Sequence, residues 1–171
     1  MKDGFFGGWT QGVREGYGVK NKIILTARII KNSFKGLWLW HKDLIPYLPR
    51  QQLLGQWREC CLIAKQIAEK GTPNHVLVNK VMEYPKEHFI CYSAFVACEM
   101  QMRGYRVDVD RIKKWIQIKL PVRENLKYVF HGWHNDRYLR QCLANLQEKA
   151  DCGAIPADEW KKITDRWPEW K

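Results

Sequence analysis

Between Leu48 and Ala68 the apolar and polar positions follow a helical period. At about 100° per residue, Leu53, Leu54, Trp57, Cys60, Cys61, Ala64, Ile67 and Ala68 fall on one broad apolar side. Glu59 points away from them, beside Gln52, Gly55, Gln56 and Gln66, so the polar face carries a single carboxylate. A glycine inside a helix costs about 1 kcal/mol relative to alanine. Gly55, one turn before Glu59, therefore reads as a gap through which a ligand backbone approaches. On spacing alone, a solvated glutamate beside an incidental glycine is the simpler alternative.

Further along, Gly71, Thr72 and Pro73 break this helix, and residues 74–84 read as a turn with a short helix. Pro85 suits the first turn of the next helix, Lys86 to Arg103, which is apolar almost all round and is expected to be the central core helix. Gly104 is placed to end it in a left-handed cap. Asp108 or Asp110 is expected to cap a basic helix through Lys119, with Pro121 beyond. A last helix is expected from Asn135 to Ala150, followed by Gly153, Pro156 and an aromatic tail. No segment alternates as a strand does. The expected fold class is all-α, a compact single-domain helical bundle with irregular loops over residues 37–171.

Residues 1–36 differ. They hold seven of the twelve glycines, and helical patterning is confined to a short stretch near Ile23 to Ile30. A poorly ordered extension is expected there. The apolar run Ile23–Ile30 is interrupted by Thr26 and Arg28 and lacks a small-residue cleavage site, so it is not read as a signal peptide. No span is apolar enough to cross a membrane, and the cytoplasm is the expected compartment.

The length of 171 residues suits one domain, and the net charge of +11 suggests an anionic partner. Lys and Arg are spread along the whole chain, as on a basic surface, and nucleic acid is the commonest partner of such a surface. A soluble basic protein without that partner is the alternative. The six cysteines, Cys60, Cys61, Cys91, Cys98, Cys142 and Cys152, include no C-x-x-C pair and are read as reduced, buried and small. No metal or other cofactor is expected; His131 and His134 lack a third clear ligand and read as loop hydrogen-bonding residues.

The stretches LWHKDLIPYLPRQQLLGQWRECC, from Leu39, and NKVMEYPKEHFICYSAFVACEMQMRGYRVD, from Asn79, resemble the pyrimidine-dimer DNA glycosylases of the phage endonuclease V type. They are closer still to a bacterial branch whose members begin Met-Arg-Leu-Trp. The resemblance covers roughly residues 37 to 155. It implies a DNA-repair enzyme, with glycosylase and abasic-lyase activity, that acts on cyclobutane pyrimidine dimers in damaged duplex DNA. The α-amine of the first residue attacks C1′, a Schiff base forms and β-elimination cuts the strand. An α-amine has a pKa of about 7.7–8.0, so a useful fraction is nucleophilic near neutrality. Glu59 matches the family's catalytic Glu and Arg58 the adjacent DNA-contacting Arg. No cofactor, membrane or obligate protein partner is implied, and a monomer is expected.

That resemblance aligns the family's first residue with Leu37, which lies inside this chain and has only an amide nitrogen. Translation starting at position 37, on a Leu codon that doubles as a start codon, would restore the amine. A cleaved extension, or a genuine addition that abolishes catalysis, are the alternatives. Trp38 stands where relatives have a basic residue, and Gln52 and Leu62 stand where the phage enzyme has His and Arg. The expected catalytic residues are Leu37 and Glu59. The expected DNA-binding residues are Arg58, Trp38, His41, Gln52, Gln56, Lys113 and Lys114; Arg111 and Lys119 extend the last two into a phosphate track, for which an exposed solvated face is the equal alternative. His41 is also a candidate for orienting the amine or a phosphate, with a structural polar residue as the equal alternative. Trp160, Trp167 and Trp170 either stack on bases or pack on the core, and the rings of Trp57 and Trp115 read as core. A non-catalytic nucleic-acid-binding module, or an enzyme for another lesion, are the rival functions.

Overall fold

The computed structural model describes residues 38–70, 75–114 and 128–170. Leu37–Lys171 form one compact unit. Leu37, Trp115, Lys119, Pro121 and the expectation for residues 1–36 lie outside the described residues.

The described part begins with a strap, residues 38–41, which runs into a 3-10 turn at Lys42–Tyr47. Six α-helices follow: α1 Arg50–Lys70, α2 Val76–Met82, α3 Lys86–Met102, α4 Asp110–Lys113, α5 Asp136–Asp151 and α6 Ala157–Arg166, then a short 3-10 turn at Pro168–Trp170. No strand occurs among the described residues, so the all-α class holds. None of the helices described is long and apolar enough to cross a membrane.

Helix ends are tied down by specific groups. Asn135 caps α5, accepting from the Tyr138 N–H at 3.0 Å. Gly104 ends α3 with φ 81°, and its N–H reaches the Gln101 carbonyl at 2.9 Å. The first N–H of α1, from Arg50, donates to the Glu159 carboxylate of α6 at 3.1 Å, which joins two helices distant in sequence. At the end of α3, the Arg103 guanidinium donates to Glu99 (2.6 Å), the Leu48 carbonyl (2.7 Å) and the Pro46 carbonyl (2.8 Å). One planar fork therefore fixes the 3-10 turn against the core helix.

The core runs from Leu39 to Ile163. Leu53, Cys60, Ile63 and Ala64 of α1, Tyr92 and Val96 of α3, Phe130, Leu146 of α5 and Ile163 of α6 are all fully enclosed. α1 packs against α3 and α4. Phe130 has φ 51°, uncommon for a residue with a Cβ, and is held there by complete burial and by its N–H bond to His88 Nδ1 at 2.9 Å.

Several expectations are corrected. The tail after Pro156 is a helix: Trp160, Ile163, Thr164 and Trp167 are spaced on one amphipathic stripe, with Asp158 and Glu159 in its first turn and Arg166 in its last. Trp167 packs edge-on against Tyr47 at 5.2 Å, and all three tail rings lie partly buried against the core. α4 is capped by Val109 without a side-chain bond, although Asp108 accepts from the Arg111 N–H at 3.2 Å. α3 is not buried all round, since Cys98, Gln101 and Met102 face outward. Cys98 and Cys152 are exposed, whereas Cys60, Cys61 and Cys142 are enclosed as expected.

Candidate active site

On α1, Glu59 lies at the edge of the buried stripe, half-buried, with the exposed Arg58 beside it. Its Oε2 accepts a hydrogen bond from the backbone N–H of Trp38, 21 residues earlier. The strap thus delivers the peptide nitrogen next to position 37 to this carboxylate. Burial raises the pKa of Glu59 above the ordinary carboxylate value, against the opposing effects of the Trp38 N–H and the Arg58 charge. A carboxyl group poised in this way both stabilises positive charge and exchanges a proton.

The strap is held by side chains on every side. Gln56 Oε1 accepts from the Trp40 N–H at 2.8 Å, and its Nε2 donates to the Trp38 carbonyl at 3.2 Å. The Tyr138 hydroxyl of α5 donates to the Leu39 carbonyl, and the Tyr92 hydroxyl of α3 to the Trp40 carbonyl at 2.7 Å. Burial pushes both phenols far up, so they remain donors at all physiological pH values. Trp38 is 37% exposed; its ring stacks on Tyr138 at 6.3 Å and meets Trp40 edge-on at 5.9 Å. This partly exposed aromatic residue is the one whose backbone N–H meets Glu59. Lys149 of α5 sets its ammonium 5.6 Å from the centre of the Trp40 ring, and burial lowers its pKa.

The enclosed thiols Cys60 and Cys142 are poor nucleophiles. Burial pushes Cys60 up to about 12 and Cys142 up to about 11, so neither forms thiolate near neutrality.

The remaining sequence-derived candidates divide into surface and interior. Arg58 is exposed next to Glu59, and Arg111, Lys113 and Lys114 are exposed on and just after α4. Lys113 pairs with Asp110 at 3.0 Å. Arg111 lies near enough to Cys61 to act on its titration, which brings the basic turn up to α1. Gln52 is half-buried, and its Oε1 is enclosed without a partner.

Gln56 and His41, expected at the DNA face, are instead in the interior, 1% and 2% exposed. Gln56 shares the stripe of Leu53, Cys60 and Ile63, three or four residues apart on α1, and its amide is used by the strap. His41 caps the 3-10 turn, its Nδ1 accepting from the Asp43 N–H at 3.3 Å, and its ring stacks on His134 at 5.1 Å. His134 Nδ1 accepts from the Lys42 N–H at 3.0 Å, a hydrogen-bonding role. Because each Nδ1 is an acceptor, each neutral ring carries its proton on Nε2, so neither offers the usual imidazole lone pair there to a metal. No cluster of three or more metal-ligating side chains occurs among the described residues.

Sequence reasoning missed Tyr92 and Tyr138. Each sits in a helix whose apolar pattern hides a hydroxyl. The one available signal was the general need of a buried phenol for a partner, which does not name the partner.

No curated protein and no solved structure matches this chain. Residues 37–113, from the residue at which the compact unit begins to the end of α4, match the model of the family described as pyrimidine dimer DNA glycosylase, and the match bears out, over that span, the family that the sequence resembles.

Proposed function

We propose that the chain is a DNA glycosylase with abasic-lyase activity on pyrimidine dimers in duplex DNA, active when its amino terminus lies at position 37. The observation that carries this reading is the hydrogen bond from the Trp38 N–H to the Glu59 carboxylate. It brings the start of the matched segment to the carboxylate that resembles the family's catalytic Glu. The family match supports the glycosylase activity and the damaged-DNA partner. The imine chemistry and the roles of the site residues extend beyond that match.

In this mechanism the neutral amine of residue 37 attacks C1′. The glycosidic bond breaks, and its electron pair leaves with the base. The attacking nitrogen gives one proton to the departing base; its lone pair then opens the sugar ring, O4′ takes up a proton, and the protonated imine forms. Removal of a C2′ proton then expels the 3′ phosphate by β-elimination. Glu59 stabilises the oxocarbenium-like charge and carries protons between these steps. Arg58, with Arg111, Lys113 and Lys114, contacts phosphates. The exposed Trp38 ring stacks on a base displaced from the duplex, which reduces the cost of extrusion. Gln56 and His41 act from the interior.

While residues 1–36 remain attached, position 37 offers only an amide. The same surface then binds DNA without cutting it, which is the second reading that this feature favours.

Borohydride trapping tests both. Protein begun at position 37 is mixed with a duplex carrying one pyrimidine dimer, beside the full chain. A reduced adduct with the short form alone, mapped to residue 37, supports the proposal. An adduct on Lys149, the half-buried amine over Trp40, replaces the nucleophile. No adduct from either protein, on dimer or abasic duplex, leaves a DNA-binding module.

A further inference from the structure

We propose that Gln56 is a positioning residue: its side-chain amide pairs with the strap as a neighbouring β-strand would, and sets which backbone nitrogen lies on Glu59. The inference rests on the imine reading above, which it deepens.

The strap's hydrogen bonds alternate between edges. Three groups of residues 38 and 40 turn to α1: the Trp38 N–H to Glu59, the Trp38 carbonyl to Gln56 Nε2, and the Trp40 N–H to Gln56 Oε1, while the Trp40 carbonyl goes to Tyr92 of α3. Residue 39, between them, turns its carbonyl the other way, to Tyr138 of α5. That alternation is the signature of an extended chain. Gln56 and Glu59, three residues apart on α1, together read one edge of it. The Gln56 amide accepts from the Trp40 N–H and donates to the Trp38 carbonyl, bridging the two peptide groups that flank Leu39, as a facing peptide would.

Packing alone gives no reason for an amide here. Gln56 is 1% exposed in a stripe otherwise made of Leu53, Cys60 and Ile63. A buried amide is costly unless both its ends are satisfied, and an apolar side chain of similar volume would fill the stripe without that requirement. What the amide adds is register. With both ends engaged, a slip of the strap by one residue would present the opposite edge to α1, breaking all three bonds at once. The nitrogen on Glu59 is therefore that of Trp38, and position 37 lies one residue outside it.

The test uses Gln56→Met, which keeps the volume and removes both bonds. Gln56→Asn, which withdraws the amide by one methylene, serves if the first variant fails to fold. In the full folded chain, the Glu59 carboxyl is titrated by NMR. The Trp38 N–H holds this pKa down against the effect of burial, so loosening the strap moves the titration upward, an effect that a merely space-filling side chain would not have. An unmoved Glu59 titration overturns the proposal, whether or not the enzyme reading survives. The second arm cuts the folded chain before residue 37 at an inserted protease site. At saturating dimer duplex, the rate of borohydride-trappable imine formation is expected to fall about tenfold or more, since ångström-scale misplacement of reacting groups is enough for that. Affinity for the duplex stays within about threefold, a loss in kcat and not in binding. Equal trapping rates with an active parent overturn the proposal. A parent that forms no adduct removes the enzyme reading, and the titration still decides the role of Gln56.

Discussion

The two ends of the described fold are both rich in tryptophan and are held in opposite ways. At the amino-terminal end, residues 38–41 form no helix. Their backbone groups are taken up by Gln56, Glu59, Tyr92 and Tyr138, side chains from three different helices. At the carboxyl-terminal end, α6 satisfies its own backbone and is held mainly by apolar contacts, Ile163 in the core and Trp167 against Tyr47, beside the bond from the Arg50 N–H to Glu159. The difference teaches where specificity lies. A helix docked by apolar contacts tolerates a small shift. A strap whose groups at residues 38, 39 and 40 meet directional partners does not, and the amine proposed to react there would need that intolerance.

The strongest way to sharpen this contrast is Glu59→Gln. It keeps an acceptor for the Trp38 N–H and removes the charge and the proton carrier. Strand cleavage by protein begun at position 37 is expected to fall by about 10²–10⁴-fold, with DNA affinity kept, as measured by single-turnover cleavage and equilibrium binding. Persistent cleavage would detach the strap from the chemistry.

Ile163→Ala strikes the other end. It empties a fully enclosed site and is expected to cost about 3 kcal/mol in denaturant unfolding, while cleavage per folded molecule is retained. Loss of cleavage in the folded variant would break the comparison, because the two ends would then act as one.

Acid probes the strap through His134. Burial, with the nearby His41 and Lys42, lowers its pKa from 6.5 to about 2. The unfolded chain thus takes up a proton below pH 6.5 that the folded chain refuses, and stability present above that value is lost as the pH falls. By pH 5 the loss from this group is about 2 kcal/mol. Melting at pH 7 and pH 5 should show a smaller acid shift for His134→Gln, which retains an acceptor for the Lys42 N–H.

The smallest effect concerns Gly55. A Cβ there would meet only Arg58 Nη2, at 4.0 Å, so the fold itself does not need glycine. Gly55→Ala is expected to raise stability by about 1 kcal/mol. A simultaneous drop in affinity for dimer duplex would show that the gap serves DNA approach; unchanged affinity would make it incidental.

Most helices were legible in the sequence because helical period and terminators are local. The apolar spacing of Leu53, Trp57, Cys60 and Ala64, the glycine after Arg103 and the Asn135 cap each act within one or two turns. α6 escaped because ten residues with six charges read as a solvated tail, and its stripe of Trp160, Ile163 and Trp167 is narrow. The site was half legible. Arg58 and Glu59 stood out by resemblance and by the lone carboxylate on the polar face. Gln56 was misplaced because a wheel treats a polar residue as facing solvent, whereas its angular position between Leu53 and Cys60 puts it inside.

The sequence by itself determined the all-α class, the basic character and the resemblance of residues 37 to 155 to a repair family, because these depend on composition, short-range periodicity and motif. Only the tertiary structure decided that the Trp38 nitrogen meets Glu59, that Tyr92 and Tyr138 hold the strap, and that Gln56 and His41 lie within. Those contacts join residues from 16 to 99 positions apart, and no local pattern records which distant backbone group a buried polar side chain will find.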